Sequence, residues 1–192
     1  NIRSRLIALN FLEFAVWGAY LTSMGSYLVN INLAEKIGWF YAVQGIVSLF
    51  MPALVGIVAD RWISAQKVLS LCHLLAAVFM GGAAWYGYTV GQNVQFSLLF
   101  ILYTFSVAFF MPTIGLSNSV AFSVLGQAGQ DPIKAFPPIR VFGTIGFICS
   151  MLFVFYIGFQ TTCYQFFVSA ILSVVLAVYA LTLPNCPCSK GE

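Results

Sequence analysis

Six long apolar stretches decide what this chain can fold into. They cover residues 6–29, 38–59, 68–90, 96–125, 139–159 and 163–183 of the 192-residue sequence. A helix that crosses the core of a bilayer needs about 20 apolar residues, because each residue advances it by about 1.5 Å. Every stretch reaches that length, and the connections between them are short. The sequence therefore predicts an all-α, polytopic membrane protein whose six transmembrane helices form one bundle over residues 1–192.

The composition excludes the main alternatives. Charged residues make up only 7% of the chain, whereas a water-soluble domain carries about 25%. A transmembrane β-barrel is excluded because its strands alternate apolar and polar residues, while these runs are continuous. The first stretch is too long for a signal peptide and has no small-residue cleavage site. We expect the lipid bilayer to surround the protein.

The basic residues predict the orientation. With six spans, both termini lie on the same side as the second and fourth connections. That side holds seven of the eight Lys and Arg residues, and the other side holds only Lys36. An excess of Lys and Arg marks the cytoplasmic side, so both termini are predicted to be cytoplasmic. The net charge of +3 then reflects topology, and nucleic-acid binding is not expected.

The cysteines and the single histidine predict neither a metal site nor an enzyme. Three cysteines lie in or beside spans, and two stand in the tail "NCPCSKGE" at Cys186 and Cys188, far in sequence from His73. This spacing lacks the ligand set of a metal site and the nucleophile–base pairing of a hydrolase. We expect no metal, no cofactor and no catalysis, and a structural hydrogen bond for His73.

One acidic residue, Glu13, lies inside the first span. Ionisable residues within a membrane helix are costly, so they commonly face the bundle interior and mark a proton or polar pathway. The alternative is a carboxyl near the interface, protonated or hydrogen-bonded to a neighbour such as Asn10. Both interpretations remain open. Gly18 and Gly25, near one face of the same span, are predicted to let another helix approach closely.

The connection after the second span reads "GIVADRWISAQK" and clusters Asp60, Arg61 and Lys67. A charge cluster of this kind can simply be a solvated surface. Alternatively, Asp60 and Arg61 form a conformational latch, pairing with neighbouring helix ends in one state and separating in the other. The G-x-x-x-D-R pattern resembles the cytoplasmic loop motif of the major facilitator superfamily, although the basic ending of that motif survives only as Lys67.

The fourth span contains Pro112, followed by small polar residues that include Asn118. A proline inside a membrane helix frees a backbone carbonyl, which small polar side chains or water must satisfy. The sequence predicts a kink repaired locally. The functional alternative is that Asn118 faces a cavity as part of a polar pathway.

The string "AFPPIRVFGTIGFI" opens the fifth span. Because proline is favoured in the first helical turn, Pro137 and Pro138 predict the start of the helix, with "QAGQDPIKA" as the connection before it. Arg140, Thr144 and Phe147 then share one face at i, i+4 and i+7. Their donors, hydroxyl and ring suit a small polar ligand with a flat ring. An interfacial arginine extending to water is the alternative.

Small residues flank this stripe. Gly143 and Gly146 occupy positions beside Arg140, Thr144 and Phe147 on the predicted helix. Glycines at such positions permit close contact between membrane helices. The sequence therefore predicts that the fifth helix packs tightly against a neighbour next to the stripe.

The strings "LFMPALVGIVADRWISAQ", "FMPTIGLSNS" and "FPPIRVFGTIGFI" together resemble the nucleoside:proton symporter family of the major facilitator superfamily. That resemblance implies twelve helices in two six-helix halves, each built as a 3+3 inverted repeat, with residues 1–192 as the N-terminal half. It implies a nucleoside site to which the fifth helix contributes Arg140, Thr144 and Phe147. It also implies that the C-terminal half lies outside this chain and supplies most of the proton-coupling carboxylates.

The function expected from this resemblance is nucleoside uptake coupled to proton symport by alternating access, in a bacterial inner membrane. The partners implied are a nucleoside, protons, the bilayer and the missing C-terminal half. Two alternatives stay open: a proton symporter for sugars or other polar solutes, and a non-transporting six-helix membrane scaffold.

Overall fold

The computed structural model describes residues 1–187 and shows them as an all-helical bundle. A single 3₁₀ turn, Ala34–Lys36, precedes the third helix. Five helices, α3 to α7, are long and apolar enough to cross a membrane, which confirms the polytopic α-helical prediction. The helices are α1 (Ile2–Gly18), α2 (Met24–Asn30), α3 (Ile37–Arg61), α4 (Ala65–Val90), α5 (Phe96–Gln127), α6 (Pro132–Tyr156) and α7 (Tyr164–Leu181).

The first predicted span is not one continuous helix. It is divided into the 17-residue α1 and the 7-residue α2. Residues 18–26 include two glycines, two serines and a threonine, all with weaker helix propensity than Ala or Leu. Backbone bonds from Leu21 to Trp17 (3.0 Å) and from Met24 to Tyr20 (2.8 Å) bridge the break. The two pieces together occupy the predicted first span.

The predicted start of the fifth helix is wrong. Helix α6 begins at Pro132, and Pro137 and Pro138 lie inside it. The reason is a stronger start signal upstream: Asp131 caps the helix by accepting a hydrogen bond from the Ile133 amide at 3.1 Å, and Pro132 takes the first helical position. The two later prolines lie in the second turn of α6, so their missing amides free carbonyls only in the first turn, at exposed residues where water can satisfy them.

Helix α1 lies at the centre of the contacts, against α5, α6 and α7, while α4 packs on α5 and α7 and α3 packs on α5. The approach of α1 to α6 is very close. A Cβ placed on Gly18 would lie 2.5 Å from the Phe147 carbonyl oxygen, and one on Gly146 would overlap the Phe11 carbonyl. This confirms the predicted close packing at Gly18 and Gly146. It does not hold at Gly25, where a Cβ would be 3.8 Å from its nearest neighbour.

Candidate functional site

Arg140, Thr144 and Phe147 lie along one side of the continuous helix α6. Thr144 is exposed, and Arg140 and Phe147 are half-buried. The predicted stripe therefore exists, with a hydroxyl open at its middle and larger groups on either side. Its neighbours come from α1, since α1 and α6 are in close contact along this segment.

The guanidinium of Arg140 is held over an aromatic ring. Its Cζ lies 3.9 Å from the ring centroid of Phe14 on α1, which is a cation–π contact. Its Nη1 lies beside Gly143, one turn further along α6: a Cβ added to this glycine would be 2.8 Å from that nitrogen. The side chain thus runs toward the middle of the helix. An arginine extending to water would run toward the helix start, so the structure opposes that alternative.

Aromatic side chains continue the surface beside Arg140. The rings of Trp17 and Phe147 meet edge to face, with centroids 6.0 Å apart, and Trp17 also contacts Phe14 at 6.4 Å. The indole N–H donates to Oε1 of Gln44 at 3.2 Å, and Nε2 of Gln44 donates to the Tyr103 hydroxyl. These bonds fix the indole orientation through α3 and α5.

Trp17 and Gln44 were not predicted as part of the site. Phe14 was not predicted either. Trp17 stands three residues after Phe14 and therefore on the same side of α1, so the sequence does place these two rings together. Gln44 gave no usable signal, since its role depends on how α3 packs beside α1. Together with the stripe, they form a patch that offers donors, a hydroxyl and ring faces.

A second polar group lies inside the bundle. Glu13 is fully buried, and its Oε2 lies 2.6 Å from Nε2 of His73, which is also fully buried. The Thr113 hydroxyl lies 2.6 Å from the other carboxyl oxygen. Asn10 instead donates to the Leu6 carbonyl at 3.0 Å, so it is not the neighbour that satisfies Glu13. The carboxyl faces the bundle interior and is hydrogen-bonded to neighbours, so its role in a proton or polar pathway stays a prediction.

Asp60 and Arg61 are exposed at the end of α3. Within residues 1–187, the single acid–base contact within 4 Å is the one between His73 and Glu13. The predicted latch is thus not closed within residues 1–187. Its role stays a prediction.

The hydroxyls that follow Pro112 bond within their own helix. Thr113 lies 2.5 Å from the Phe110 carbonyl, and Ser117 donates to the Ile114 carbonyl at 2.9 Å. Asn118 is half-buried, and its Oδ1 has no hydrogen-bond partner in the described part of the chain. A groove of about 240 Å³ opens nearby between α3 and α5 around Pro52 and Pro112, but Asn118 is not among its lining residues.

No group of three His, Cys, Asp or Glu residues placed to hold a metal ion occurs among residues 1–187. Cys186 is buried, and its amide donates to Oε1 of Gln66 at 2.9 Å. Burial raises the pKa of the Cys186 thiol, so it stays protonated near neutral pH. Cys188, its predicted neighbour in the tail, lies outside the described residues.

A family model described as "Nucleoside H+ symporter" matches residues 1–192. The chain belongs to the nucleoside H+ symporter family. Xanthosine permease and nucleoside permease NupG of Escherichia coli are 39% and 40% identical over 100% of the chain. The chain spans 45% of the length of each of these relatives.

Solved structures agree with this membership. The crystal structure of nucleoside transporter NupG in a mutant form superposes with a TM-score of 0.92 at 39% identity. The match covers 100% of this chain and 46% of that one, and a second NupG structure gives a TM-score of 0.88. The family, the membrane helices and the transporter fold predicted from the sequence are confirmed. This member of the symporter family is a multi-pass membrane protein.

Proposed function

We propose that this chain is the N-terminal half of a proton-coupled nucleoside importer in a bacterial inner membrane. The observation that supports this best is the Arg140 guanidinium, which is held over Phe14 and turned inward along α6. The named relatives are permeases for xanthosine and nucleosides. A C-terminal half would complete the site from the opposite side, and alternating access would move one half against the other.

The chemistry of the patch suits a nucleoside. The planar guanidinium presents several N–H donors to base carbonyls or ribose hydroxyls. Thr144 can donate or accept with either partner, and the ring of Phe147 offers a stacking face for a flat base. Asp60 and Arg61 would stabilise one conformation at the cytoplasmic surface. Glu13 and Asn118 would supply proton or polar steps within the half.

The function is tested by uptake of radiolabelled uridine into cells that express the full-length protein. We expect uptake that a protonophore collapses and that unlabelled nucleosides inhibit. Free ribose should not compete, because it lacks the base that Phe147 would stack on. Inhibition by ribose equal to that by nucleosides would favour a sugar symporter, and absence of any uptake would favour a scaffold.

The proposed orientation predicts a labelling pattern. Gln92 lies between α4 and α5, and Gln130 lies between α5 and α6; both are exposed. In intact cells, a membrane-impermeant maleimide should label Gln92→Cys in a background without native cysteines and leave Gln130→Cys unmodified until the cells are opened. The reverse pattern would mean that the termini face the periplasm.

Gly143 is expected to position Arg140. A Cβ at this residue would lie 2.6 Å from Cδ2 of Phe14 and 2.8 Å from Nη1 of Arg140. Gly143→Ala should displace both groups and raise the KM for nucleoside uptake several-fold, because such overpacking costs about 1–3 kcal/mol. Gly126→Ala is a matched control, since a Cβ there meets nothing within 4 Å. An unchanged KM in Gly143→Ala would contradict this role.

A further inference from the structure

Glu13, His73 and Thr113 form a polar group at the middle of the bundle. They come from α1, α4 and α5, and all three are fully buried. Glu13 lies 7 residues after Leu6, the first residue of the predicted first span, or about 10 Å along the helix, which is roughly a third of a bilayer core. Burying an ionisable carboxyl away from water is costly unless it is hydrogen-bonded. Such a group at this depth calls for a function.

The hydroxyl of Thr113 can serve two states of Glu13. Its Oγ1 lies 2.6 Å from Oε1 of Glu13 and 2.5 Å from the carbonyl oxygen of Phe110. With one hydrogen, it can donate to only one of them. When Glu13 is a carboxylate, Thr113 donates to it. When Oε1 carries a proton, that O–H donates to Thr113, and Thr113 donates to the Phe110 carbonyl. Either state leaves the carboxyl fully hydrogen-bonded.

His73 fixes where the proton binds. Its Nε2 lies against Oε2 of Glu13, and its Nδ1 has no hydrogen-bond partner within residues 1–187. A doubly protonated ring would bury an N–H without an acceptor, which is rare and costly. A neutral ring with hydrogen on Nε2 donates to Glu13 and leaves only a lone pair unused. This geometry favours an imidazole that donates from Nε2 to Oε2, which leaves Oε1 of Glu13 as the oxygen that can take up a proton.

No other charged or titratable group of the described residues is placed to take up the proton instead of Glu13. Cys72 on α4 is a buried neighbour, and the Arg140 guanidinium from α6 stacks on the residue next to Glu13. Helix α7 contributes Ser173, whose hydroxyl donates to the His73 carbonyl at 2.7 Å. Other charged residues of the described part of the chain lie near helix ends: Arg3, Arg5, Glu35, Lys36, Asp60, Arg61, Lys67, Asp131 and Lys134. The remaining buried or half-buried phenols contact other partners: Tyr20 meets Tyr103, Tyr27 meets Phe166, the Tyr86 hydroxyl accepts from the Gln95 amide, and Tyr179 donates to the Arg5 carbonyl.

We propose that Glu13, held by His73 and Thr113, binds and releases one proton in each transport cycle. This inference rests on the proposed symport function and names a proton site within this half. In the protonation step, an O–H bond of hydronium from the acidic side breaks, leaving water, and an O–H bond forms at Oε1 of Glu13. The Thr113 hydroxyl then donates to the Phe110 carbonyl in place of Glu13, and the charge of the carboxyl changes from −1 to zero. Release reverses each of these changes.

Two routes connect this group with the candidate nucleoside patch. Phe14 follows Glu13 directly and holds Arg140 at 3.9 Å. In addition, the rings of His73 and Phe110 lie 5.9 Å apart, and Phe110 meets Trp17 at 6.3 Å. In a medium of low polarity, neutralising the carboxylate removes an attraction on the guanidinium. Protonation would thus free Arg140 to bind a nucleoside, and binding of the two ligands would be mutually favourable.

The test uses the full-length protein in proteoliposomes with the outside one pH unit more acidic. Each coupled proton is then worth a factor of about ten in nucleoside accumulation. Glu13→Gln keeps the side-chain shape and its hydrogen bonds but cannot take up a proton. We expect its accumulation ratio to fall about tenfold, while exchange of labelled for unlabelled nucleoside at equal pH continues. Glu35→Gln, the same change at an exposed residue, should leave both activities unchanged.

An undiminished accumulation ratio in Glu13→Gln would overturn the proposal. Loss of both accumulation and exchange in a variant with wild-type thermal stability would also overturn it, since that result indicates a structural role. If Glu13→Gln does not fold, Thr113→Val provides the test. This variant removes the hydroxyl that donates to the Glu13 carboxylate, so the pH of half-maximal uptake should move upward. An unchanged pH profile would contradict the assignment.

An independent readout separates this proposal from the proposed function. Infrared difference spectra between acidic and alkaline pH contain bands from every titrating carboxyl; one protonated-carboxyl band should be present in the wild type and in Glu35→Gln and be lost in Glu13→Gln. If the band behaves this way in a protein that transports no nucleoside, the symport function fails while the proton site stands. If Glu13→Gln keeps the band, Glu13 is not the proton site, and this conclusion does not depend on which solute the protein transports.

Discussion

Replacing Arg140 by alanine in the full-length protein is expected to abolish most nucleoside uptake. A hydrogen bond to a charged group contributes about 1.5–3 kcal/mol, which corresponds to roughly a 10- to 150-fold loss of affinity. Arg140 is placed to make more than one such bond, because its guanidinium is held over the ring of Phe14 and turned inward along α6. Uptake of labelled uridine at several concentrations measures the loss, which should appear mainly in KM.

Two comparison variants separate binding from general damage. Arg140→Lys keeps the charge but not the planar fork, so it should retain an intermediate affinity. Lys134→Ala removes an exposed basic residue from the same helix and should leave uptake unchanged. If Arg140→Ala takes up uridine with the wild-type KM, the assignment of this face to the nucleoside is wrong.

The stripe on α6 could be predicted because its information is local. Residues at i, i+4 and i+7 share a face of any helix that contains them, so Arg140, Thr144 and Phe147 needed no tertiary structure to be grouped. The direction of the Arg140 side chain is different. It depends on the ring of Phe14 on another helix and on the space beside Gly143, and neither follows from spacing along α6.

The contact between Glu13 and His73 could not be predicted from the sequence. Glu13 was recognised as costly, and His73 was expected to make a structural hydrogen bond, yet the two were not paired. They are separated by 60 residues, and Thr113 by 100 from Glu13. Their meeting depends on how α1, α4 and α5 pack. A lone acid and a lone base on separate membrane helices were the available signal, since such groups commonly pair with each other.

The ends of the helices were harder to predict than their existence. Apolar length identifies a span, but several residues can cap it, and at α6 the Asp131–Pro132 pair prevailed over Pro137 and Pro138. The break after Gly18 was also missed, because average hydrophobicity over the first span does not register a local loss of helix propensity. Hydrophobic pattern thus locates apolar spans better than it places their boundaries.

Gly146→Ala is expected to lower the stability of the full-length protein strongly. A Cβ there would overlap the backbone carbonyl of Phe11, and backbone cannot rotate aside as a side chain can. Overpacking costs about 1–3 kcal/mol, and this clash belongs at the upper end because α1 and α6 must separate to relieve it. The melting temperature of the purified protein in detergent should fall by several degrees.

Separation of the two helices should also impair transport. It would move Phe14 away from Arg140 and Trp17 away from Phe147, so uridine uptake should fall even in the fraction that remains folded. Gly115→Ala on α5 is the matched control, because a Cβ there meets nothing within 4 Å, and it should preserve both melting temperature and uptake. A stable Gly146→Ala protein with full uptake would mean that α1 and α6 are not held at this distance, and the positioning of Arg140 by α1 would then lose its structural basis.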